Sequence, residues 1–170
     1  MNGTNREGAV PLLHAGDVFP ALTVTPPDGE PLVIPDEFAG SYSAVLFTTG
    51  STCRSCVEQL KTFQRAAARL ARAGIRVVAV SAEDEATTSA LIAKHGIEYP
   101  IGHSADVMEI AETTGAFVGL EPPRLHTTGF VLDPSGHVSI SVYSCGAFGQ
   151  LIPDDVLELV GDLRSASAQP

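Results

Sequence analysis

The chain reads as an α/β protein: a mixed central sheet flanked by helices, with an N-terminal β-hairpin extension. Two observations predict this. Short apolar strand-like runs alternate with longer segments of helical period, the βαβ pattern that folds into a parallel sheet core. An antiparallel hairpin signal then closes the chain before a last helix, Gly129-Phe130-Val131-Leu132-Asp133 and His137 to Tyr143 flanking Asp133-Pro134-Ser135-Gly136.

Taken in order, residues 1–13 are polar and then weakly apolar without periodicity, and are expected to form a flexible arm. Residues 14–164 form the domain, and 165–170 a polar tail. Ala21 to Thr25, Pro26-Pro27-Asp28-Gly29 and Pro31 to Ile34 read as strand, turn and strand. Ser43 to Thr49 is the first core strand. Val57 to Ala73 follows as one amphipathic helix with Val57, Leu60, Phe63, Ala67 and Leu70 on its apolar face and Lys61, Arg65, Arg69 and Arg72 on the other. Gly74 stops it. Ile75 to Val80 is the next core strand, and Asp84 to His95 a helix ended by Gly96. Tyr99 to Ile101 is a short strand, and Asp106 to Thr114 a short helix ended by Gly115. In Asp133-Pro134-Ser135-Gly136 the proline and glycine positions favour a type I turn. Pro153-Asp154-Asp155 opens a terminal helix over Val156 to Leu163.

A chain of 170 residues with 44% hydrophobic and 18% charged content is long enough and apolar enough to bury a single core. Its net charge of −10 disfavours nucleic acid and anionic membrane as partners. No apolar run reaches the ~18 residues of a membrane span, and no secretory leader is visible at the N-terminus. With three cysteines, a reducing cytoplasm is the expected location.

The chemistry centres on Cys53 and Cys56, in Thr49-Gly50-Ser51-Thr52-Cys53-Arg54-Ser55-Cys56. They lie where an apolar strand passes into a helix, so free backbone N–H groups and the positive end of the helix dipole stabilise a thiolate there. Such placement lowers a cysteine pKa from about 8.5 to about 3.5–7.5. Residues i and i+3 share a helix face and are near enough to form a disulfide. A zinc half-site is the competing reading, but there is no second CxxC, and Cys145 and the five histidines show no ligand spacing. With the dithiol at the first core strand-to-helix junction, the order of elements is that of a thioredoxin-like fold.

Several residues surround this pair as candidates. The charge of Arg54 favours a neighbouring thiolate if it points inward, and Glu58 opposes it. The acidic run Glu83, Asp84 and Glu85 begins a helix and reads as capping. His126 is either a proton carrier or a surface residue, while His14, His95, His103 and His137 have no evident partner. Cys145, after the last strand, is either a half-buried strand-end thiol or one that resolves a disulfide with another chain, which leaves a homodimer open.

The blocks Gly16-Asp17-Val18-Phe19-Pro20, Asp28-Gly29, the strand leading to CxxC, Val77 to Ser81, Lys94-His95-Gly96, Gly129 to Asp133 and Ser135-Gly136 resemble, in their order and spacing, the alkyl hydroperoxide reductase and thiol-specific antioxidant branch of the thioredoxin superfamily, the peroxiredoxin-like proteins. This resemblance implies an antioxidant thiol enzyme in a CxxC variant. Family members carry a Pro and a Thr before the reactive cysteine and an Arg from a later loop. Aligned on the helix start, Cys56 takes the peroxidatic place, Cys53 that of the Thr and Thr49 that of the Pro, with Thr52 beside them. Thr127 falls where either the Arg or a thioredoxin-type cis-proline would lie, and Arg124 is close enough in sequence to supply the missing charge. All three supporting positions are altered, which weighs against efficient peroxide reduction.

The reading is therefore a thiol–disulfide oxidoreductase. Cys53 attacks a disulfide, Cys56 resolves, an external thioredoxin-type dithiol restores the pair, and no cofactor is needed. Its rivals are a thiol peroxidase, with Cys56 attacking a hydroperoxide and Cys53 resolving, and a non-catalytic binding module with a pocket near Thr127 and Phe148.

Overall fold

The structure, a computed structural model, describes residues 10–146 and 148–168. Strands β1 (Leu22–Val24) and β2 (Leu32–Ile34) pair antiparallel as the expected N-terminal hairpin. The central sheet comprises β3 (Tyr42–Thr48), β4 (Ile75–Ser81), β5 (Ile101–Gly102), and, beyond a small hairpin of β6 (Val118–Leu120) and β7 (Pro123–Leu125), β8 (Thr128–Leu132) and β9 (Val138–Tyr143). Its order is β5-β4-β3-β8-β9, parallel on the β5 side of β3 and antiparallel on the other, so the sheet is mixed. Helices α1 (Arg54–Arg65), α2 (Ala67–Arg72), α3 (Glu85–His95), α4 (Val107–Thr114) and α5 (Pro153–Ser167) complete the fold.

Strand alternation assigns the two faces. Ala44 and Leu46 of β3 point toward a cluster with Leu60, Phe63, Leu70, Leu91, Val156 and Val160, covered by α1, α2, α3 and α5. Val45 and Phe47 point the other way, toward Phe19, Ile34, Ile110 and Phe130, covered by the N-terminal hairpin and α4. β3 is buried over Ser43–Thr48, and its strand-end residue Thr48 marks where the chain leaves the sheet for the CxxC loop. Phe130 makes edge-on contacts with Phe19, Phe47 and Tyr143 at centroid separations of 5.1, 5.6 and 5.6 Å.

Three local expectations change. The single helix expected over Val57 to Ala73 starts at Arg54 and is interrupted at Ala66, whose N–H is shared between the Thr62 and Phe63 carbonyls. Its cationic face is solvated, as expected, and three of its four cations make exposed ion pairs: Lys61 and Arg65 with Glu58, and Arg69 with Asp154, at 2.8–2.9 Å. The last helix runs on to Ser167, so residues 165–167 of the expected tail are helical. Residues 1–9 of the expected arm lie outside the described residues, but Leu13 at its end is tied down. Its N–H donates to the Tyr143 hydroxyl at 2.8 Å, and its carbonyl accepts from the Ser141 hydroxyl at 2.7 Å. Burial pushes the Tyr143 phenol above its ordinary pKa, and its O–H donates onward to the Thr114 carbonyl. The Asp133–Gly136 turn forms as expected, with the Gly136 N–H on the Asp133 carbonyl at 3.0 Å.

Candidate functional site

The two cysteines stand at the carboxyl edge of β3 and are joined as a disulfide, with Cα atoms 5.2 Å apart. Cys53 is the N-cap of α1 in extended conformation, and its Sγ accepts the N–H of Cys56 at 3.3 Å. A sulfur here takes the role usually filled by a Ser, Thr or Asp oxygen, and satisfies one of the free amides of the first turn. The Ser55 hydroxyl adds a contact to the same Sγ at 3.4 Å. The two sulfurs differ in access: Cys53 is half-buried, whereas Cys56 is 0% exposed.

Beneath them lies Thr127, itself 2% exposed, with its Oγ1 3.4 Å from the Cys56 Sγ. Thr127 is thus buried against the dithiol. It follows β7 and directly precedes β8, and the antiparallel register that pairs Phe47 with Thr128 brings it to the edge where β3 ends. Its carbonyl accepts the Ser144 N–H at 3.0 Å, which ties the segment after β9 to the same edge.

The acidic run divides: Asp84 and Glu85 serve the start of α3, and Glu83 does not. Asp84 is the N-cap of α3, and the hydroxyl and N–H of Thr87 hold its carboxyl below the ordinary range. Glu83 instead crosses to the loop before the dithiol, accepting the Ser51 N–H with both oxygens at 2.9 Å and the Ser51 hydroxyl at 2.7 Å. Gly50, at φ +124°, lets the chain pass this carboxylate; a Cβ there would lie 2.5 Å from the Glu83 Cδ. A neighbouring pair of register positions explains the meeting, since Thr48 of β3 lies opposite Ser81 of β4.

The remaining candidates fall outside this cluster. Arg54 and Thr52 are exposed, and Thr49 is half-buried; none makes a side-chain hydrogen bond among the described residues. Arg124 does not replace the missing charge: it is exposed on β7, its side chain lies over Gly119 of β6, and it forms no ion pair among the described residues. His126 is half-buried, and its backbone N–H donates to the Phe117 carbonyl at 2.9 Å. Cys145 is exposed rather than half-buried. Phe148 is 89% exposed, whereas Thr127 is 2% exposed. Glu58 is occupied by Lys61 and Arg65, whose hydrogen bonds hold its carboxyl at a pKa of about 2. Among the described residues no group of three or more His, Cys, Asp or Glu side chains is placed to hold a metal ion, and no helix is long and apolar enough to cross a membrane.

A model of the AhpC/TSA family matches residues 15–140. Among curated proteins none matches. Among solved structures, the fold is similar to Mycobacterium tuberculosis AhpC at 20% identity and TM-score 0.77, over 94% of this chain and 97% of the other. It is also similar to the peroxidoxin BcpB of Mycobacterium tuberculosis at 18% identity and TM-score 0.78, over 89% and 99%. A peroxiredoxin-like protein from Aquifex aeolicus matches at 17% identity and TM-score 0.76, over 91% and 90%.

Proposed function

This chain belongs to the AhpC/TSA family, and from that premise we propose that it is a thiol–disulfide oxidoreductase cycling between the Cys53–Cys56 dithiol and its disulfide. The observation that carries this reading is the asymmetry of the pair. Cys53 is accessible and capped by a helix-terminal amide, whereas Cys56 is enclosed beside Thr127.

In the reduced protein the Cys56 N–H and the dipole of α1 favour the Cys53 thiolate. It attacks one sulfur of a substrate disulfide, forms a Cys53–substrate disulfide, and expels the other substrate sulfur as a thiolate. The Cys56 thiolate, its proton passed to solvent, then attacks the Cys53 Sγ. The substrate leaves as its second thiolate, and the Cys53–Cys56 disulfide remains. Two electrons have moved from the protein to the substrate. A thioredoxin-type dithiol returns them by the same exchange in reverse, which calls for a reducing compartment such as the cytoplasm.

Family membership favours a second reading, in which Cys56 attacks a hydroperoxide. The O–O bond breaks, an alcohol leaves, and Cys56 becomes a sulfenic acid; the Cys53 thiolate then displaces water from it to give the same disulfide. Full burial of Cys56 and the threonines at positions 49 and 127 favour the first reading.

Two single substitutions separate them. Under disulfide exchange, Cys56→Ser accumulates a mixed disulfide on Cys53 and Cys53→Ser reacts with nothing. If Cys53→Ser instead consumes one equivalent of peroxide and leaves a sulfenic acid, while Cys56→Ser is inert, the peroxidase reading replaces it.

A further inference from the structure

Beside the dithiol lies a cleft of about 310 Å³ whose lining includes Ser55, Gln59, Gln150, Leu151, Ile152 and Pro153. Ser55 sits between the two cysteines and touches the Cys53 Sγ, so this cleft opens next to the accessible sulfur. Its two amide side chains are incompletely used. Gln59 is 5% exposed; its Nε2 donates to the Leu151 carbonyl at 3.0 Å, which fixes the amide orientation, and its Oε1 is buried without a partner. The Nε2 of Gln150 is likewise buried and unpartnered. Buried polar atoms are nearly always paired, so an acceptor and a donor both left over in one cleft point to a ligand carrying the complementary pair.

We propose that this cleft is a peptide-recognition subsite: it takes the chain flanking the attacked cysteine of a peptide or protein disulfide. A backbone N–H donates to Gln59 Oε1, a backbone carbonyl accepts from Gln150 Nε2, and the neighbouring side chain lies against Leu151, Ile152 and Pro153. The proposal rests on the disulfide-exchange reading above. A hydroperoxide has no second group to offer this pair; a peptide offers it at every residue.

Gln150→Met tests it, because methionine keeps the length and loses the donor while leaving the Gln59–Leu151 hydrogen bond in place. The reduced protein is reacted with the disulfide dimer of Ac-Ala-Cys-Ala-NH2 and with bis(2-hydroxyethyl) disulfide, which has no amide. The expected result is a second-order rate lower by about threefold to tenfold for the peptide, the scale of one hydrogen bond, with the amide-free disulfide unaffected. Equal slowing of both, or of neither, overturns the subsite. If wild-type protein reacts with neither probe, disulfide exchange itself fails. The cleft is then read alone by titrating Ac-Ala-Ser-Ala-NH2 into the oxidised protein: shifts of the Gln59 and Gln150 side-chain amide resonances uphold it, and their absence overturns it.

Discussion

Thr127→Val is the most direct probe of how the fold tunes the buried sulfur. Valine is close to isosteric with threonine, and the backbone carbonyl that accepts from Ser144 is untouched, so the change removes only the hydroxyl 3.4 Å from the Cys56 Sγ. A hydrogen bond to a charged group contributes about 1.5–3 kcal/mol, and one pKa unit corresponds to about 1.36 kcal/mol. At sulfur distances the lower end applies, so the Cys56 thiol rises by about one unit. Below both pKa values this cuts the thiolate fraction about tenfold, while intrinsic nucleophilicity recovers about threefold. Resolution of the mixed disulfide therefore slows about threefold to fourfold at low pH, and becomes faster than wild type above the new pKa. The assay is stopped-flow loading of Cys53 with an aromatic disulfide, followed by release of the second thiol across pH. The reasoning is refuted if the variant's pH profile is scaled by one factor throughout, or if the loading step changes as much as the release step.

Two other sites give testable outcomes. Gly50→Ala sets a Cβ against the Glu83 carboxyl at a φ of +124°, costing about 2–3 kcal/mol by urea unfolding. Adding Glu83→Ala should relieve the clash but not the backbone strain. Because that change also removes the Ser51 hydrogen bonds, the double variant is compared with Glu83→Ala alone, and equal stability of those two would show that no strain existed. For Glu58, the carboxyl should titrate at about 2 by NMR and return to the ordinary glutamate range, about 4.3, when Lys61 and Arg65 are both changed to Ala. Because the folded value lies below the unfolded one, its stabilisation is present above the unfolded pKa and fades as pH falls toward 2. A titration still near 2 in the double variant would contradict the assignment.

Local signals made much of the site legible. The run Ala44 to Phe47, the CxxC that follows it, and the helical period after Cys56 place both sulfurs at a helix start whatever the rest of the chain does. Glycines 96 and 115 end α3 and α4 as read. Less legible was the interruption at Ala66, in an alanine-rich stretch with no breaker, where only the hydrogen-bond geometry of the last turn shows it. The β6–β7 hairpin is not legible in the sequence, because Pro122 and Pro123 lack the N–H groups that strand pairing uses. Gln59 carries no signal in the sequence, since a polar residue beside Leu60 and Phe63 reads as the helix flank, and only the packed structure buries it.

The sequence by itself determined that two thiols face the amino end of a helix, because i,i+3 spacing and strand-to-helix propensity act within a few residues. It could not determine which sulfur is enclosed, or by what. Those depend on strand register: β4 in parallel with β3 carries Glu83 to Ser51, 32 residues away, and β8 antiparallel to β3 carries Thr127 to Cys56, 71 residues away. A shift of one residue in either pairing would turn alternate side chains to the opposite face, so the surroundings of the dithiol were decided by the sheet and not by the motif.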